Sequence, residues 1–338
     1  MPKLLTIGMA VYDDPQGVWF TIESIRNMFP EHATEVEFLV VDNNPTSPEG
    51  QATKAYIDGH FGKTDDQWKA HYVSATPRKS TSVRNLVFHC AETEYVLCVD
   101  SHILLKPGSL TKTLAFLKSE AAQNDLYHGP AFHEMGYIYA THMNPAFRGQ
   151  NWGTWGVMVD EDGHNVFNER WPEPIEIPAH GMGLFLTRRD TWLGFPVSFR
   201  NFGGEECYIH EKYRLHGRKC WCLPFLGWVH YYGHFVRGAM SSNRVKYPLT
   251  TAAKFRNILV GFREIGLDES IPTEYYRAFM DPGEVDRVVR EVESLDIKPI
   301  PRPEGYQPFL GFPIRVNDGP MQESGDYRPF ERRLKRPG

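Results

Sequence analysis

Short apolar runs alternate with segments of helical period through the first third of the chain. Three runs have the length of buried strands and lie at residues 6–12, 38–44 and 95–99. Helical spacing of apolar residues separates them at 19–28 and begins again at 82–86. Alternating strands and helices are typical of a parallel sheet with right-handed crossovers. The pattern therefore predicts an α/β fold with a mainly parallel central sheet flanked by helices.

Further along, the pattern predicts more elements and then becomes irregular. Helical spacing recurs at 110–121, 207–216, 250–265 and 283–295, and strand-like runs recur at 127–140, 175–186 and 221–225. Residues 144–174 are rich in tryptophan and glycine without a sustained period, which is typical of a functional loop or lid. A surface β-meander with ordinary packed tryptophans is the alternative for that segment.

The change of pattern along the chain predicts three parts. Residues 1–240 would form the main domain and 241–297 a helical extension. Residues 298–338 are rich in proline and predict an extended tail, which wraps over the domain or is partly disordered.

A carboxylate and an imidazole follow the third strand-like run directly, as Asp100 and His102. On an extended segment, residues two apart point to the same side, so these side chains can converge on one ion. Oxygen plus nitrogen suits Mn²⁺ better than Ca²⁺, and open α/β sheets bind ligands at the carboxyl ends of their strands. The alternative is a turn carboxylate beside an incidental histidine.

The order of these motifs resembles the GT-A nucleotide-sugar glycosyltransferases, in particular glycosyltransferase family 2. That family shows a strand, a helix, a strand ending as in Val41-Asp42-Asn43, an arginine-asparagine pair as in Arg84-Asn85, and then a strand ending in D-x-D. Asp100-Ser101-His102 is similar to the D-x-H variant of the polypeptide N-acetylgalactosaminyltransferases. The resemblance covers about residues 6–237 and implies the Rossmann-like GT-A fold.

The resemblance implies a third metal ligand near residue 230, and two alignments compete for it. Counting from Pro224 places the ligand at His230, whereas the local string Gly233-His234-x-x-Arg237 places it at His234. We prefer His230 as the ligand beside Asp100 and His102. His234 would then contact the diphosphate or lie outside the ligand set.

Two further segments resemble motifs of these families. Phe202-Gly203-Gly204-Glu205-Glu206 is similar both to the W-G-G-E-N segment and to the (E/D)-D of the family 2 acceptor helix, which makes Glu205 and Glu206 the expected catalytic pair. Gly183 lies in a segment that borders the donor sugar in the relatives, although a strand bulge would explain it equally well. Retaining and inverting chemistry both stay open.

The expected donor is a UDP-sugar held with Mn²⁺ or Mg²⁺. By resemblance, Asp42 would accept hydrogen bonds from the ribose or base, Ala10 and Tyr12 would flank the base, and Arg84 would steady the diphosphate or Asp100. Asp100 would hold the cation that bridges the two phosphates.

Composition narrows the class of protein. A net charge of −5 and an isoelectric point near 6.3 give no overall field for nucleic acid or an anionic membrane. The sequence has no apolar run long enough to span a membrane and no signal-peptide pattern, so we expect no membrane insertion and a cytoplasmic location. The membrane anchor and lectin domain of the Golgi relatives are missing, which favours a bacterial or viral source.

The acceptor is the least constrained expectation. We favour a hydroxymethylated pyrimidine in phage DNA, with a base stacked on Trp152 or Trp155 and phosphates along four basic residues: Arg78, Lys79, Arg148 and Arg170. A saccharide or a protein Ser/Thr is the alternative acceptor. A zinc hydrolase and a catalytically silent sugar-binding GT-A protein are the rival classes.

Overall fold

The computed structural model describes residues 2–61, 67–75, 80–159, 173–231, 250–306 and 330–333. Its strands are β1 (Leu5–Val11), β2 (Val36–Asp42), β3 (Lys69–Ser74), β4 (Tyr95–Val99), β5 (Ile103–Leu105), β6 (Leu126–His128), β7 (Ala131–Phe132), β8 (Ile138–Ala140), β9 (His142–Arg148), β10 (Asn151–Val159), β11 (Ile175–Glu176), β12 (Leu184–Arg188), β13 (Cys220–Cys222), β14 (Trp228–His230) and β15 (Phe330–Arg333). Its α-helices are α1 (Pro15–Met28), α2 (Pro48–His60), α3 (Arg84–Cys90), α4 (Ser109–Leu117), α5 (Glu206–Leu215), α6 (Thr251–Glu264), α7 (Ser270–Tyr276) and α8 (Pro282–Glu293).

The central sheet has eight strands in the order β11-β13-β6-β12-β4-β1-β2-β3. Strands β4, β1, β2 and β3 run parallel, as do β13 and β6, whereas β12 is antiparallel to both of its neighbours and β11 to β13. The predicted mixed α/β fold with a mainly parallel sheet is confirmed. Every residue of β4 is buried, as its unbroken apolar run requires in a strand covered on both faces.

A second, four-stranded sheet has the order β5-β14-β7-β8. Strand β5 follows β4 after a three-residue turn, and β14 pairs with it antiparallel, so that His230 lies opposite Ile103. This pairing brings the end of β14 to the turn that carries Asp100 and His102.

Helix α1 shows how local signals begin an element beside the sheet edge. Asp14 caps it, accepting a hydrogen bond from the backbone N–H of Gly17 at 3.1 Å, and Pro15 occupies the first turn, where its missing N–H costs nothing. Its buried face, with Val18, Ile22 and Ile25, packs into the core beneath β1 and β4.

The C-terminal helices share a core with the sheet. Phe255, Ile258 and Phe262 of α6 belong to the same apolar cluster as Tyr208 of α5 and Val288 of α8. The boundaries at 240/241 and 297/298 stay predictions.

One sequence expectation for an irregular segment needs correction. An irregular loop at 144–174 is wrong as far as residue 159, because β9 and β10 form an antiparallel hairpin there with a bulge between Trp152 and Thr154. Residues 160–172, including Arg170, lie outside the described part of the chain. In the proline-rich tail, the described residues 330–333 form β15 and add to β10 in parallel.

Among the described helices, none combines the length and the apolar character needed to cross a bilayer.

Candidate metal and donor site

The candidate residues lie together at the carboxyl ends of the central strands, as predicted. Strands β1, β2 and β4 are in register with Met9 opposite both Val40 and Val99, so their carboxyl ends meet. Asp42 ends β2 and Asp100 follows β4 directly. The backbone N–H of Asp100 donates to the carbonyl of Gly183 at 2.9 Å, which fixes the start of the turn.

Asp100, His102 and His230 form a compact cluster. His230 Nε2 lies 3.2 Å from Asp100 Oδ2, and the rings of His102 and His230 meet edge to face with centroids 4.6 Å apart. The backbone N–H of Tyr231 donates to the carbonyl of His102 at 2.9 Å, which holds β14 against the turn. Each of the three residues offers one ligand atom, and these atoms all lie within 4.8 Å of one another.

This cluster fits a divalent cation. One carboxylate oxygen and two imidazole nitrogens suit a borderline ion such as Mn²⁺, and three protein ligands leave coordination positions for a substrate. All three side chains keep a partly exposed surface, between 11% and 24%. The geometry therefore agrees with the expectation that these three residues share one ion.

The choice between His230 and His234 yields a prediction. His234 lies outside the described residues, whereas His230 contacts Asp100 directly. We expect His230→Ala to weaken Mn²⁺ binding far more than His234→Ala, since only the first removes a ligand. Titration of each variant with Mn²⁺, followed by electron paramagnetic resonance of the free ion, measures the difference. A larger loss of Mn²⁺ affinity in His234→Ala than in His230→Ala would show that the local G-H-x-x-R alignment is the correct one.

Arg84 joins the cluster to the start of α5 through two ion pairs, of which the pair with Glu205 is buried. Its Nη2 lies 3.1 Å from Asp100 Oδ1, and its Nη1 lies 3.5 Å from Glu205 Oε1. Burial disfavours the charged form of Asp100, but the hydrogen bond with His230 and the charge of Arg84 outweigh it and hold the pKa of Asp100 well below its usual value. The carboxylate form, which a cation needs, is thus the stable one.

Glu205 is completely buried, and its side chain contacts Thr81 and Arg84. Its Oε1 accepts a hydrogen bond from the Thr81 hydroxyl at 3.0 Å, and the guanidinium of Arg84 also donates to Thr81. The other oxygen, Oε2, has no hydrogen-bond partner within the described part of the chain. The structure thus places Glu205 behind Arg84, where it balances the guanidinium charge.

Glu206 begins α5 and is partly exposed. Burial, followed by the charge of the adjacent Glu205, raises the pKa of Glu206 to about 8, against the opposing charges of Lys254 and Arg84. Gly203 and Gly204 precede the pair with positive φ angles of 101° and 88°. A Cβ on Gly204 would lie 2.9 Å from Ile258 Cγ1, so α6 packs directly against the segment that presents the two carboxylates.

The packing around Gly183 explains why this position needs a glycine. A Cβ at this position would lie 2.9 Å from the ring of the buried Trp228 and 3.1 Å from Asp100 Oδ2. Glycine therefore lets the backbone before β12 approach the carboxylate of the cluster. Any side chain here would press on that carboxylate.

The expected nucleotide contacts lie at the same edge. Asp42 is fully buried, accepting hydrogen bonds from the backbone N–H of Asn44 and the hydroxyl of Tyr72, each at 2.8 Å. Burial raises its pKa. Ala10 and Tyr12 are partly exposed at the end of β1. The contacts of all these residues to a base or ribose stay predictions.

Sequence reasoning missed the residues that hold the metal turn from α1. Asp14 Oδ2 lies 2.8 Å from His102 Nδ1 and accepts from the Ser101 hydroxyl at 2.8 Å. The Thr21 hydroxyl lies within 3.0 Å of the carbonyls of Ser101 and Ile103. The Asp-Pro pair signals a helix start, but nothing local reveals that this carboxylate also reaches a residue 88 positions away.

A stack of three buried histidines, also missed, supports the other side of the site. His128 stacks between His180 and His210, and His210 Nδ1 donates to the carbonyl of Glu206 at 2.6 Å. Burial lowers the pKa of His180 to about 4 and that of His210 to about 3. The stack therefore ties the first turn of α5 to the residues that precede β12.

A mainly parallel sheet with a carboxylate–imidazole cluster after its central strand matches the GT-A fold. Residues 6–173 match the family model described as Glycosyl transferase family 2. The resemblance to GT-A glycosyltransferases that the sequence motifs indicated is confirmed. No curated protein sequence matches the chain at a significant level.

One similar solved structure shows the same fold. GalNAc-T7, solved with UDP, GalNAc and Mn²⁺, aligns with a TM-score of 0.58 at 12% identity over 86% of this chain. This chain spans 54% of that structure, or about half its length. The mannosyltransferase PcManGT of Pyrobaculum calidifontis aligns at 12% identity, 92% and 78% coverage and a TM-score of 0.48. S. aureus TarS 1-349 with UDP-GlcNAc aligns at 16% identity, 82% and 72% coverage and a TM-score of 0.46.

Proposed function

We propose that the protein is a metal-dependent glycosyltransferase that moves a sugar from a nucleotide-sugar donor to an acceptor hydroxyl. The observation that carries the proposal is the cluster of Asp100, His102 and His230 at the carboxyl edge of a GT-A sheet, within 4.8 Å of one another. The match of residues 6–173 to the family 2 model supports the class of enzyme. The UDP, GalNAc and Mn²⁺ of the GalNAc-T7 structure support a UDP-sugar and Mn²⁺ here, with Mg²⁺ as the alternative ion.

The residues of this cluster would hold the cation, and their neighbours would hold the donor. A bound divalent ion would neutralise the charge that grows on the leaving diphosphate. Asp100 would supply the anionic ligand, kept ionised by Arg84, and the two histidines would supply neutral ligands. Asp42 and Tyr12 would line the nucleoside side of the edge.

Glu206 is our candidate for the proton acceptor from the acceptor hydroxyl. Three observations support this role: its place at the first turn of α5, its partial exposure, and its raised pKa. A carboxylate with a higher pKa is a stronger base. Glu205, fully buried against Arg84 and Thr81, would position the guanidinium rather than contact the acceptor. An acting base implies an inverting reaction, whereas a retaining reaction would let the leaving phosphate assist the acceptor.

The pH dependence of turnover tests that role. A base must be ionised, and the ionised fraction of a group with a pKa of about 8 rises with pH up to that value. We therefore expect kcat/KM to rise about tenfold per pH unit below about 8 and to level off above it. Glu206→Gln should be slow and should lose this slope. If kcat/KM of Glu206→Gln still rises with pH in the same way, another group accepts the proton. A product that keeps the anomeric configuration of the donor would then indicate the retaining route.

The acceptor proposal is a hydroxymethylated pyrimidine in DNA, with a saccharide or protein Ser/Thr hydroxyl as the competing class. The structure removes one of its two stacking candidates, because Trp152 is buried against Phe147 and Phe262 in the core. Trp155 is partly exposed and packs over Gly181, close to the proposed donor side. Of the four basic residues considered for phosphates, Arg148 alone lies in the described part of the chain.

The deciding experiment measures release of nucleoside diphosphate from a panel of UDP-sugars with and without Mn²⁺. Slow hydrolysis of one donor that stops with chelator supports the transferase, whereas full activity in excess chelator overturns the metal assignment. A silent sugar-binding protein would hydrolyse no donor. Adding hydroxymethylated DNA, unmodified DNA or simple saccharides then identifies the acceptor. Transfer to saccharides with none to modified DNA overturns the nucleic-acid proposal.

A further inference from the structure

We propose that Asp14 is a positioning residue, which fixes the tautomer of His102 and so presents its Nε2 to the divalent cation. The inference rests on the proposed function, because it concerns the metal cluster of that site. It assigns a role to a residue of the first helix cap, which neither the sequence motifs nor the family resemblance includes.

The contacts of Asp14 settle where the proton of His102 must be. A carboxylate oxygen only accepts hydrogen bonds, and Asp14 Oδ2 lies 2.8 Å from His102 Nδ1. The proton of the neutral ring therefore sits on Nδ1, and the lone pair sits on Nε2. A carboxylate that accepts from one ring nitrogen of a histidine raises the basicity of the other, which is the nitrogen that binds the metal.

Asp14 is itself held by two hydrogen bonds, so it can hold the ring in turn. It is buried, with 9% of its surface exposed. Its Oδ1 accepts from the backbone N–H of Gly17, and its Oδ2 accepts from the Ser101 hydroxyl at 2.8 Å. Thr21, two turns from Asp14 along α1, bonds to the backbone on both sides of His102. The helix and the metal turn are therefore one unit.

The substitution Asp14→Asn distinguishes the capping of α1 from the positioning of His102. The amide oxygen of the asparagine can still accept from Gly17 N–H, because asparagine caps helices as well as aspartate does. Its amide NH₂ would face His102 Nδ1 and donate to it, which moves the ring proton to Nε2 and blocks the ligand. We therefore expect Asp14→Asn to weaken Mn²⁺ binding about 10–100-fold while the thermal unfolding midpoint of the metal-free protein stays close to that of the wild type.

The chain offers a matched control in Asp281. This residue also precedes a proline, Pro282, and caps α8 by accepting from the backbone N–H groups of Gly283 and Glu284. Asp281→Asn should leave Mn²⁺ affinity unchanged. Asp14→Ala and Asp281→Ala should both lose stability through the lost cap, but only Asp14→Ala should also bind Mn²⁺ more weakly.

The test is a Mn²⁺ titration of the full-length protein and these four variants, read by electron paramagnetic resonance, together with thermal unfolding without metal. Nitrogen-15 NMR of labelled histidine adds a direct reading, since His102 should carry its proton on Nδ1 in the wild type and on Nε2 in Asp14→Asn. Wild-type affinity in Asp14→Asn overturns the positioning role alone. Absence of Mn²⁺ binding by the wild type overturns the proposed function instead.

Discussion

Asp100→Asn is expected to abolish sugar transfer and to weaken Mn²⁺ binding more than about a hundredfold, since loss of an outer contact to a ligand already costs about 10–100-fold. The substitution keeps the shape of the side chain but removes the charge that Arg84 and His230 stabilise. The amide oxygen can still accept from Arg84, so the fold should persist. Mn²⁺ affinity, donor hydrolysis and the thermal unfolding midpoint measure the three effects.

Asp190→Asn is the matched control for that prediction. Asp190 is a carboxylate on the surface that pairs with Arg188 at 3.1 Å and lies outside the metal cluster. It should leave metal binding and transfer unchanged. Wild-type Mn²⁺ affinity in Asp100→Asn would mean that the cluster does not hold the ion.

Arg84→Met is expected to destabilise the protein by about 3–5 kcal/mol, because removal of one partner leaves a buried charge uncompensated. Glu205 is completely buried, and its described charged partner is Arg84. Asp100 would lose its guanidinium contact as well, so its affinity for protons should rise. Urea unfolding at neutral pH gives the free energy of unfolding.

The double variant Arg84→Met with Glu205→Gln identifies the cause. It removes both buried charges and should recover most of the lost stability but not the transfer activity. Arg188→Met, which removes an exposed arginine in two surface ion pairs, should change stability by no more than about 1 kcal/mol. Equal destabilisation in the single and double variants would show that lost packing, rather than the unpaired Glu205, is responsible.

The sequence predicted the sheet edge because its signals are local. The unbroken apolar run of β4 and the polar residues just after it indicated both the strand and the place of Asp100 and His102. His230 came from counting along a resemblance, and its approach to Asp100 depends on the pairing of β14 with β5, which no local pattern contains.

The sequence missed one helix that buries little apolar surface and one hairpin that a bulge interrupts. Helix α2 buries Gly50, Thr53 and Ile57 on its inner face, which is too little apolar surface to produce a helical pattern in the sequence. Ser47 and Pro48 are in fact the cap and first turn of this helix. In β9 and β10, a bulge interrupts the alternation of polar and apolar residues, which hid the hairpin.

The ion pairs of Arg84 have a consequence for the order of binding. Asp100 and Glu205 together carry two formal negative charges against the single positive charge of Arg84, so this triad is anionic before a cation arrives. A nucleoside diphosphate is anionic too, and the two repel each other at short range. A bound divalent cation makes the net charge of the triad and the cation together positive. Thermodynamic linkage then requires that the cation strengthens donor binding by the same factor by which the donor strengthens cation binding, so neither affinity has a fixed value without the concentration of the other.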